Sequence, residues 1–509
     1  MRKTACILLF LMLLTTGLPA QVQGSLSQMD GKWIMHVWGS HSQRGYAHGY
    51  LLGQPVRQII RGYMFQLVAM GSPATYNQLI SFYLNHFNVE AKYQQEAQGI
   101  LDGMQAAGTD IYFTEMERNF IKEDILLFNC LYDLYYYTGS VLGNPNLQVN
   151  CATLASWQST TQADSLLNGN LVISRLMDWN QDATLIANPL LLVSHPTETD
   201  EQKWISFGYP GMIGTVSGIS ASGKAAFLNT GNLHDFNNLN GLHPITLSLR
   251  NGIELDDYNN DGWDDIWDVE LSIASKLSLS GMIAHVVSES PAAMSIVVET
   301  NNMFGTAFRT HATNDVIPPY HLAATNHFRA LTNPVCCTRY ANIADSLAVS
   351  SAVSAKRQLR ILFGAAGLEN NLMAMQYTPV SGNILWSAAS LSQPAYQLPM
   401  LQFNRSELLN FSTPNQDETA VLPVRNISVY PNPAPAGTDI RIKLNYETDA
   451  PLLIYNLKGQ KVATLNGKGR DREWNGKTDD GSNAGAGIYL LRHNPAYREN
   501  GTAKLLLLQ

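Results

Sequence analysis

Asn150-Cys-Ala-Thr-Leu-Ala-Ser-Trp157 and, a little further on, Ile173-Ser-Arg-Leu-Met-Asp-Trp179 are the stretches on which the reading of this chain turns. They bring one thiol, Cys151, together with a guanidinium, Arg175, and a carboxylate, Asp178. If the chain is cut before Cys151, that residue gains a free α-amine with a pKa of about 7.7–8.0. Such an amine can take the proton of its own thiol, so nucleophile and base are one residue and no histidine is required. A nearby cation such as Arg175 lowers a thiol's pKa, and Asp178 can hold the amine in place. Backbone or asparagine N–H groups can then stabilise a tetrahedral oxyanion. Taken alone, a lone cysteine is more often a small buried hydrophobe, and an Arg and Asp three apart a surface pair. The weight therefore falls on what surrounds them.

The chain has 509 residues, 45% hydrophobic and 9% aromatic, which allows two or three domains with sizeable cores. Its 33 Lys+Arg and 41 Asp+Glu give a net charge of −8 without long runs. That balance argues against a nucleic-acid or anionic-membrane partner. Arg2 and Lys3, the apolar run Ile7 to Leu14, and small residues near Ala20 and Gly24 read as a secretory signal over residues 1–24. Cys6 precedes the apolar core, which argues against a lipoprotein signal. No later run reaches the roughly 18 apolar residues needed to span a bilayer. An exported protein with no transmembrane segment is expected. The remaining cysteines, Cys130, Cys151, Cys336 and Cys337, are too few for a disulfide scaffold, although a bridge from Cys130 to one of the adjacent pair stays open.

Residues 31–53 read as a strand, a Gly turn and the start of a helix. From about Val89 to Tyr137 the apolar spacing is helical, and Gly143-Asn-Pro-Asn146 breaks it just ahead of Cys151. Short strands follow, among them Leu171–Ser174, Leu190–Val193, Ala225–Leu228 and Ser295–Glu299, with helical segments at about 268–276 and 341–364. Strand sets with layered helices predict an α+β sandwich. A linker is expected over 412–424, and beyond it alternating strands and regular turns predict a small all-β sandwich over 425–509.

Several further motifs share the order of a known family. Gln43-Arg-Gly-Tyr-Ala-His-Gly49 and Gln95-Glu-Ala-Gln-Gly-Ile-Leu-Asp-Gly103 stand upstream, and Cys151 with Ile173–Trp179 at the centre. Ala324-Thr-Asn-His-Phe328 and Thr338-Arg-Tyr340 lie downstream. Over about 31–410 the chain resembles the N-terminal-nucleophile family that includes acyl-CoA:6-aminopenicillanic acid acyltransferase and, more distantly, choloylglycine hydrolase and penicillin V acylase. The resemblance implies a four-layer αββα sandwich that cuts itself at Asn150-Cys151, with 25–150 an activation segment and 151–411 the catalytic part. It implies Cys151 as nucleophile and base, Arg175 and Asp178 as thiol and amine partners, Asn326 for amine or oxyanion contacts, and Arg339 as an electrostatic anchor. The family's oxyanion segment corresponds to Gly218-Ile-Ser-Ala-Ser-Gly223, so Ser220 stands where an asparagine is often found, with Asn229 as the other oxyanion candidate.

Asp257-Tyr-Asn-Asn-Asp-Gly-Trp-Asp-Asp-Ile-Trp-Asp268 has the spacing of a calcium loop, with Asp257, Asn259, Asp261, the Trp263 carbonyl, Asp265 and Asp268 as ligands of a structural Ca²⁺. No catalytic cofactor is expected. The tail, with Tyr430-Pro-Asn-Pro433, Ile454–Gln460 and Glu473–Gly481, resembles the immunoglobulin-like sorting domain of type IX secretion cargo. That resemblance implies a secreted or surface protein handled by the type IX machinery after a Sec signal. The function expected is hydrolysis of a linear amide in an N-acylated small molecule. Acyl transfer by the same fold and non-catalytic surface adhesion are the alternatives.

Overall fold

In the computed structural model, residues 22–411 are described except 145–149, 235, 291–293, 314–315 and 366–369, and residues 427–508 except 436, 445–446 and 494–501. Residues 1–21 of the secretory signal expected over 1–24, most of the loop before Asn150, and the linker expected at 412–424 lie outside the described residues. The chain divides into two compact units, with the boundary after Ser412.

The first unit is built on two sheets. Nine strands order one of them: Gly24–Met29, Lys32–Gly39, Leu190–Pro196, Trp204–Gly208, Ser217–Ser220, Ala225–His234, Ser280–Val287, Ser295–Asn301 and Gly305–Arg309. All neighbours are antiparallel except Lys32–Gly39 beside Leu190–Pro196. The second sheet has six antiparallel strands in the order His321–Ala324, Asn150–Ser156, Val172–Asp178, Asn371–Thr378, Asn383–Ala388 and Leu401–Asn404. The two stack face to face, Ala225–His234 against Asn150–Ser156 and Ser295–Asn301 against His321–Ala324. The Ala355–Ala365 helix packs on the six-stranded sheet, and the Ile245–Glu254 and Ile266–Ala274 helices on the nine-stranded one. This is the αββα sandwich that the resemblance implied. Val172–Asp178 is buried at every position, as befits a strand covered on both faces, its polar Ser174, Arg175 and Asp178 included.

The strand of residues 32–39 and the glycine-turned helix His41–Gln58 fall where the sequence placed them. Ser40 caps that helix in a box with Gln43. Its glycines have a packing role. A Cβ at Gly45 or Gly49 would meet the backbone of Glu96 or Ile100, and one at Gly99 or Gly103 would meet residues 42–50. The helices His41–Gln58 and Ala91–Ala106 therefore cross backbone to backbone, which only glycine permits.

The continuous helical pattern expected from Val89 to Tyr137 is interrupted. Ala91–Ala106 ends at Gly108 (φ +72), a two-strand turn (Tyr112–Phe113 with Arg118–Asn119) intervenes, and helices Lys122–Asn129 and Leu131–Ser140 follow. Likewise the segment at 341–364 is two helices, Thr338–Val349 and Ala355–Ala365. Unforeseen is a π-helical stretch, Ile59–Val68. The four cysteines from Cys130 onward are free, so the Cys130 bridge left open by the sequence is not formed. Among the described residues no helix is long and apolar enough to cross a membrane.

Residues 25–150 and 151–411 share the nine-stranded sheet and one hydrophobic core. The second unit is all-β, with Ile427–Tyr430, Ile440–Leu444 and Asp471–Trp474 in one sheet. Lys461–Leu465, Leu452–Asn456, Gly487–His493 and Thr502–Leu507 form the other. Ile440–Leu444 alternates buried and exposed, and its inward residues join Trp474, Leu491 and Leu505 in a separate core.

Candidate active site

Asn150–Ser156 pairs with Val172–Asp178 so that Asn150 lies opposite Asp178, Cys151 opposite Met177 and Thr153 opposite Arg175. Register thus lays Cys151 beside the strand that carries both charges. Asn150 is exposed and Cys151 buried, which puts the Asn150–Cys151 peptide at the rim of the sheet. The Cys151 N–H donates to Asn326 Oδ1 at 2.6 Å. Asn326 is oriented in turn by donating from Nδ2 to the Thr230 carbonyl at 2.9 Å and the Thr230 hydroxyl at 3.0 Å. Arg339 reaches Asp178 Oδ2 at 2.8 Å, and Asn371 donates to Asp178 Oδ1 at 2.9 Å.

Arg175 bridges the two sheets. It donates to the Val216 carbonyl at 2.8 Å, the Ser217 hydroxyl at 3.0 Å and the Leu228 carbonyl at 2.8 Å. With its donors fixed on the nine-stranded sheet, Arg175 acts on the thiol through its field. Burial raises the Cys151 thiol above its usual pKa, while the charges of Arg175 and Arg339 work against that rise and Asp178 adds to it. Burial also raises Asp178, opposed chiefly by Arg339 and Asn371. The thiol is therefore protonated, beside a carboxylate more basic than usual.

The structure gathers Cys151, Arg175, Asp178, Asn326 and Arg339 at one place. Asn229 reaches the same loop, donating from Nδ2 to the Thr325 carbonyl at 3.3 Å, while its buried Oδ1 has no hydrogen-bond partner among the described residues. Ser220 does not belong there. It closes the far end of the hairpin, its N–H bonded to Lys224 O and its hydroxyl engaged with Ser222. Six residue steps along the strand separate Lys224 from Thr230, about 20 Å at 3.3 Å per step. The motif match placed Ser220 by sequence, but the hairpin's length carries it away.

Sequence reasoning missed Thr230 and Asn371, which orient Asn326 and Asp178 from strands remote in sequence. It also missed an aromatic cover. The rings of Tyr132 and Tyr135 pack tilted against Trp179, with centroids 4.6 and 4.9 Å away, and the Tyr132 hydroxyl points at Met177 Sδ at 3.5 Å. The Leu131–Ser140 helix thereby lies over the strand that faces Cys151.

The segment expected to be a calcium loop is tied by hydrogen bonds of its own. Asp257 accepts the N–H groups of Asp261 and Gly262, and Asp261 that of Trp263. Asp268 caps the Ile266–Ala274 helix through the Asp265 N–H and meets Lys224 Nζ at 3.2 Å. A lysine ammonium, Lys224, bridges Asp264 and Asp268, the latter at the twelfth position of the expected calcium loop. His41, Glu198 and Glu201 do bring ligand atoms within 4.8 Å of one another. However, Arg44 and Lys92 already engage those carboxylates at 2.8–3.1 Å. Glu96, Arg250 and Glu254 complete a buried network of alternating charge. Burial opposes protonation of His41, but Glu201 and Glu96 hold its pKa above the ordinary value.

The family model described as "Secretion system C-terminal sorting domain" matches residues 428–507. The all-β unit is a secretion sorting domain. It marks the protein as secreted or displayed at the cell surface. For the first unit the likenesses are remote. Protein dcd1B of Dictyostelium discoideum is 25% identical over 188 residues, 37% of this chain and 36% of that protein. An uncharacterised protein of Archaeoglobus fulgidus is 23% identical over 214 residues, 38% of this chain and 32% of that protein. The chain thus matches about a third of the length of these curated relatives. A Caenorhabditis elegans N-acylethanolamine-hydrolyzing acid amidase ortholog superposes with TM-score 0.33 at 12% identity, covering 45% of this chain and 93% of that one. At such distances the fold rests on its own strand order.

Proposed function

We infer that this protein is an exported precursor that cuts itself between Asn150 and Cys151. The freed Cys151 then hydrolyses a linear, non-peptide amide in an N-acylated small molecule. One observation carries the reading: the Cys151 N–H sits 2.6 Å from Asn326 Oδ1, with Arg175 and the Asp178–Arg339 pair around the same residue. A backbone nitrogen held by a side-chain oxygen is of little use within an ordinary strand. It is what an α-amine at this position would need.

In self-cleavage the Cys151 sulfur adds to the Asn150 carbonyl carbon while the thiol proton passes to Asp178. The tetrahedral adduct collapses with loss of the C–N bond, the proton returns to the departing nitrogen of Cys151, and a thioester remains. Water then cleaves the thioester, leaving the Asn150 carboxylate and a free Cys151 thiol and amine. In turnover the amine takes the thiol proton and the thiolate attacks the substrate carbonyl. The same proton is given to the leaving amine, and water resolves the acyl-Cys151. Arg175 and Arg339 favour the thiolate, and Asn229 is the better placed of the two oxyanion candidates.

The signal over residues 1–24 and the sorting tail support export in two steps, Sec followed by type IX secretion. Of the two cleavage positions, Ala20 is favoured, because Gly24 already pairs with Val37 in the sheet.

The test is covalent labelling together with turnover. Purified protein should take one iodoacetamide at Cys151 and release amine from at least one of a panel of N-acyl amino acids, bile-salt conjugates and penicillin V. The Cys151→Ala variant should do neither. Wild-type protein that is unlabelled at Cys151 and inert across the panel would overturn the reading.

A further inference from the structure

Asn326 stands on residues 325–331, which form neither helix nor strand, yet its oxygen must stay at hydrogen-bond distance from one nitrogen. Loops are ordinarily the mobile parts of a fold. A pair of buried residues on the nine-stranded sheet holds this one at both ends. Glu299 accepts three successive backbone N–H groups, those of Arg329, Ala330 and Leu331, at 2.8–3.0 Å. It also accepts Arg309 Nε at 2.8 Å. Arg309 in turn donates from Nη2 to the carbonyl of Ala323 at 2.8 Å. One ion pair therefore grips the segment before Asn326 through Ala323 and after it through residues 329–331.

Two contacts carry this restraint onward. Phe328 N donates to Asn232 Oδ1 at 3.0 Å, and its ring fills the space that a Cβ at Gly231 or Gly281 would take. The Arg329 guanidinium lies 3.8 Å from the Tyr340 ring, on the helix that carries Arg339. Asn326 and Arg339, the contacts of the Cys151 nitrogen and of Asp178, are thus set by the same anchored segment. We propose that Glu299, paired with Arg309, is the positioning residue of this site, fixing Asn326 against the Cys151 nitrogen without touching the reacting atoms. A buried carboxylate that accepts from four N–H donors has its orientation fixed, which makes it a rigid anchor.

The proposal rests on the reading of Cys151 above, and its test separates the two. In Glu299→Gln, self-cleavage should slow at least tenfold and kcat should fall similarly, with KM changed less than twofold. Adding Glu299→Gln to an Asn326→Ala chain should change the cleavage rate less than twofold, because the effect runs through Asn326. Hydrogen exchange at residues 325–331 should rise in Glu299→Gln whether or not the protein is active. Arg309→Lys, which keeps the charge but shortens the reach to Ala323, should show the same pattern and serves if Glu299→Gln does not fold. Wild-type rates with unchanged exchange in these variants, or fully additive losses with Asn326→Ala, would overturn the proposal. A wild-type chain that neither cleaves nor labels at Cys151 would instead overturn the reading of the nucleophile, and the exchange measurement would still decide on the anchor.

Discussion

At the scale of single residues, the proposed site is a thiol whose pKa burial raises, surrounded by the groups proposed to activate it once an amine appears. Asn326→Ala removes the only side-chain acceptor recorded for the Cys151 N–H among the described residues. It should slow self-cleavage by about 10²–10³, the usual loss when a preorganised polar contact is removed from a site of this kind. A time course of fragment appearance on a denaturing gel checks this. Arg339→Ala leaves the buried Asp178 carboxylate without its cation, retaining only Asn371. Removing one partner of a buried pair costs about 3–5 kcal/mol. The variant should show this loss in chemical denaturation, at the lower end because Arg339 keeps 14% of its side chain exposed. Cys151, Arg175 and Asp178 were legible in the sequence because two adjacent strands set their distances, and a strand's register is short-range information. Thr230, Asn371 and Glu299 were not, since each reaches the site from a strand far away in sequence and none sits in a recognisable motif.

At the scale of elements, glycines and buried charges decide how helices meet sheets. Gly49→Ala would put a methyl into the Ile100 backbone across the helix crossing. Overpacking of this kind costs about 1–3 kcal/mol, to be seen as a lowered melting temperature in calorimetry. The glycine spacing was visible in the sequence as a motif, but its cause became evident only when the partner helix was in place. Ser220 shows the converse. A motif aligned it with an oxyanion position, and the hairpin geometry removed it.

Asp133, on the helix that covers the site, is fully buried and pushed up to about 7 by burial, although it accepts the N–H groups of Ile245 and Leu279. A carboxyl that binds its proton more tightly folded than unfolded loses stability as pH rises from about 4 to about 7. The shift corresponds to an upper bound on the order of 4 kcal/mol, at 1.36 kcal/mol per unit. Wild-type protein should therefore be more stable at pH 5 than at pH 8, and Asp133→Asn should reduce that difference in denaturation at the two pH values. His41 contributes in the same direction only at higher pH, since its raised pKa delays loss of the proton shared with Glu201 and Glu96.

At the scale of the whole molecule, the segment before Cys151 is a structural part of the fold. It supplies the Lys32–Gly39 strand, paired in parallel with Leu190–Pro196. It also supplies Arg44 and Glu96 to ion pairs with Glu254 and Arg250 across the proposed point of cleavage. The two fragments should accordingly co-elute in size exclusion under native conditions and separate only in denaturant. The sequence indicated an activation segment there; that it would share a sheet depended on a parallel pairing between distant strands. The sorting domain, by contrast, was legible throughout, because its short alternating strands and turns are local patterns.

The central claim is that Cys151 becomes an N-terminus. Intact-mass analysis of the purified protein, with N-terminal sequencing of its fragments, tests this most directly. The wild type is predicted to yield a fragment beginning Cys151-Ala-Thr-Leu, absent from Cys151→Ala. A wild-type chain that remains whole after prolonged incubation across acid and neutral pH would contradict it.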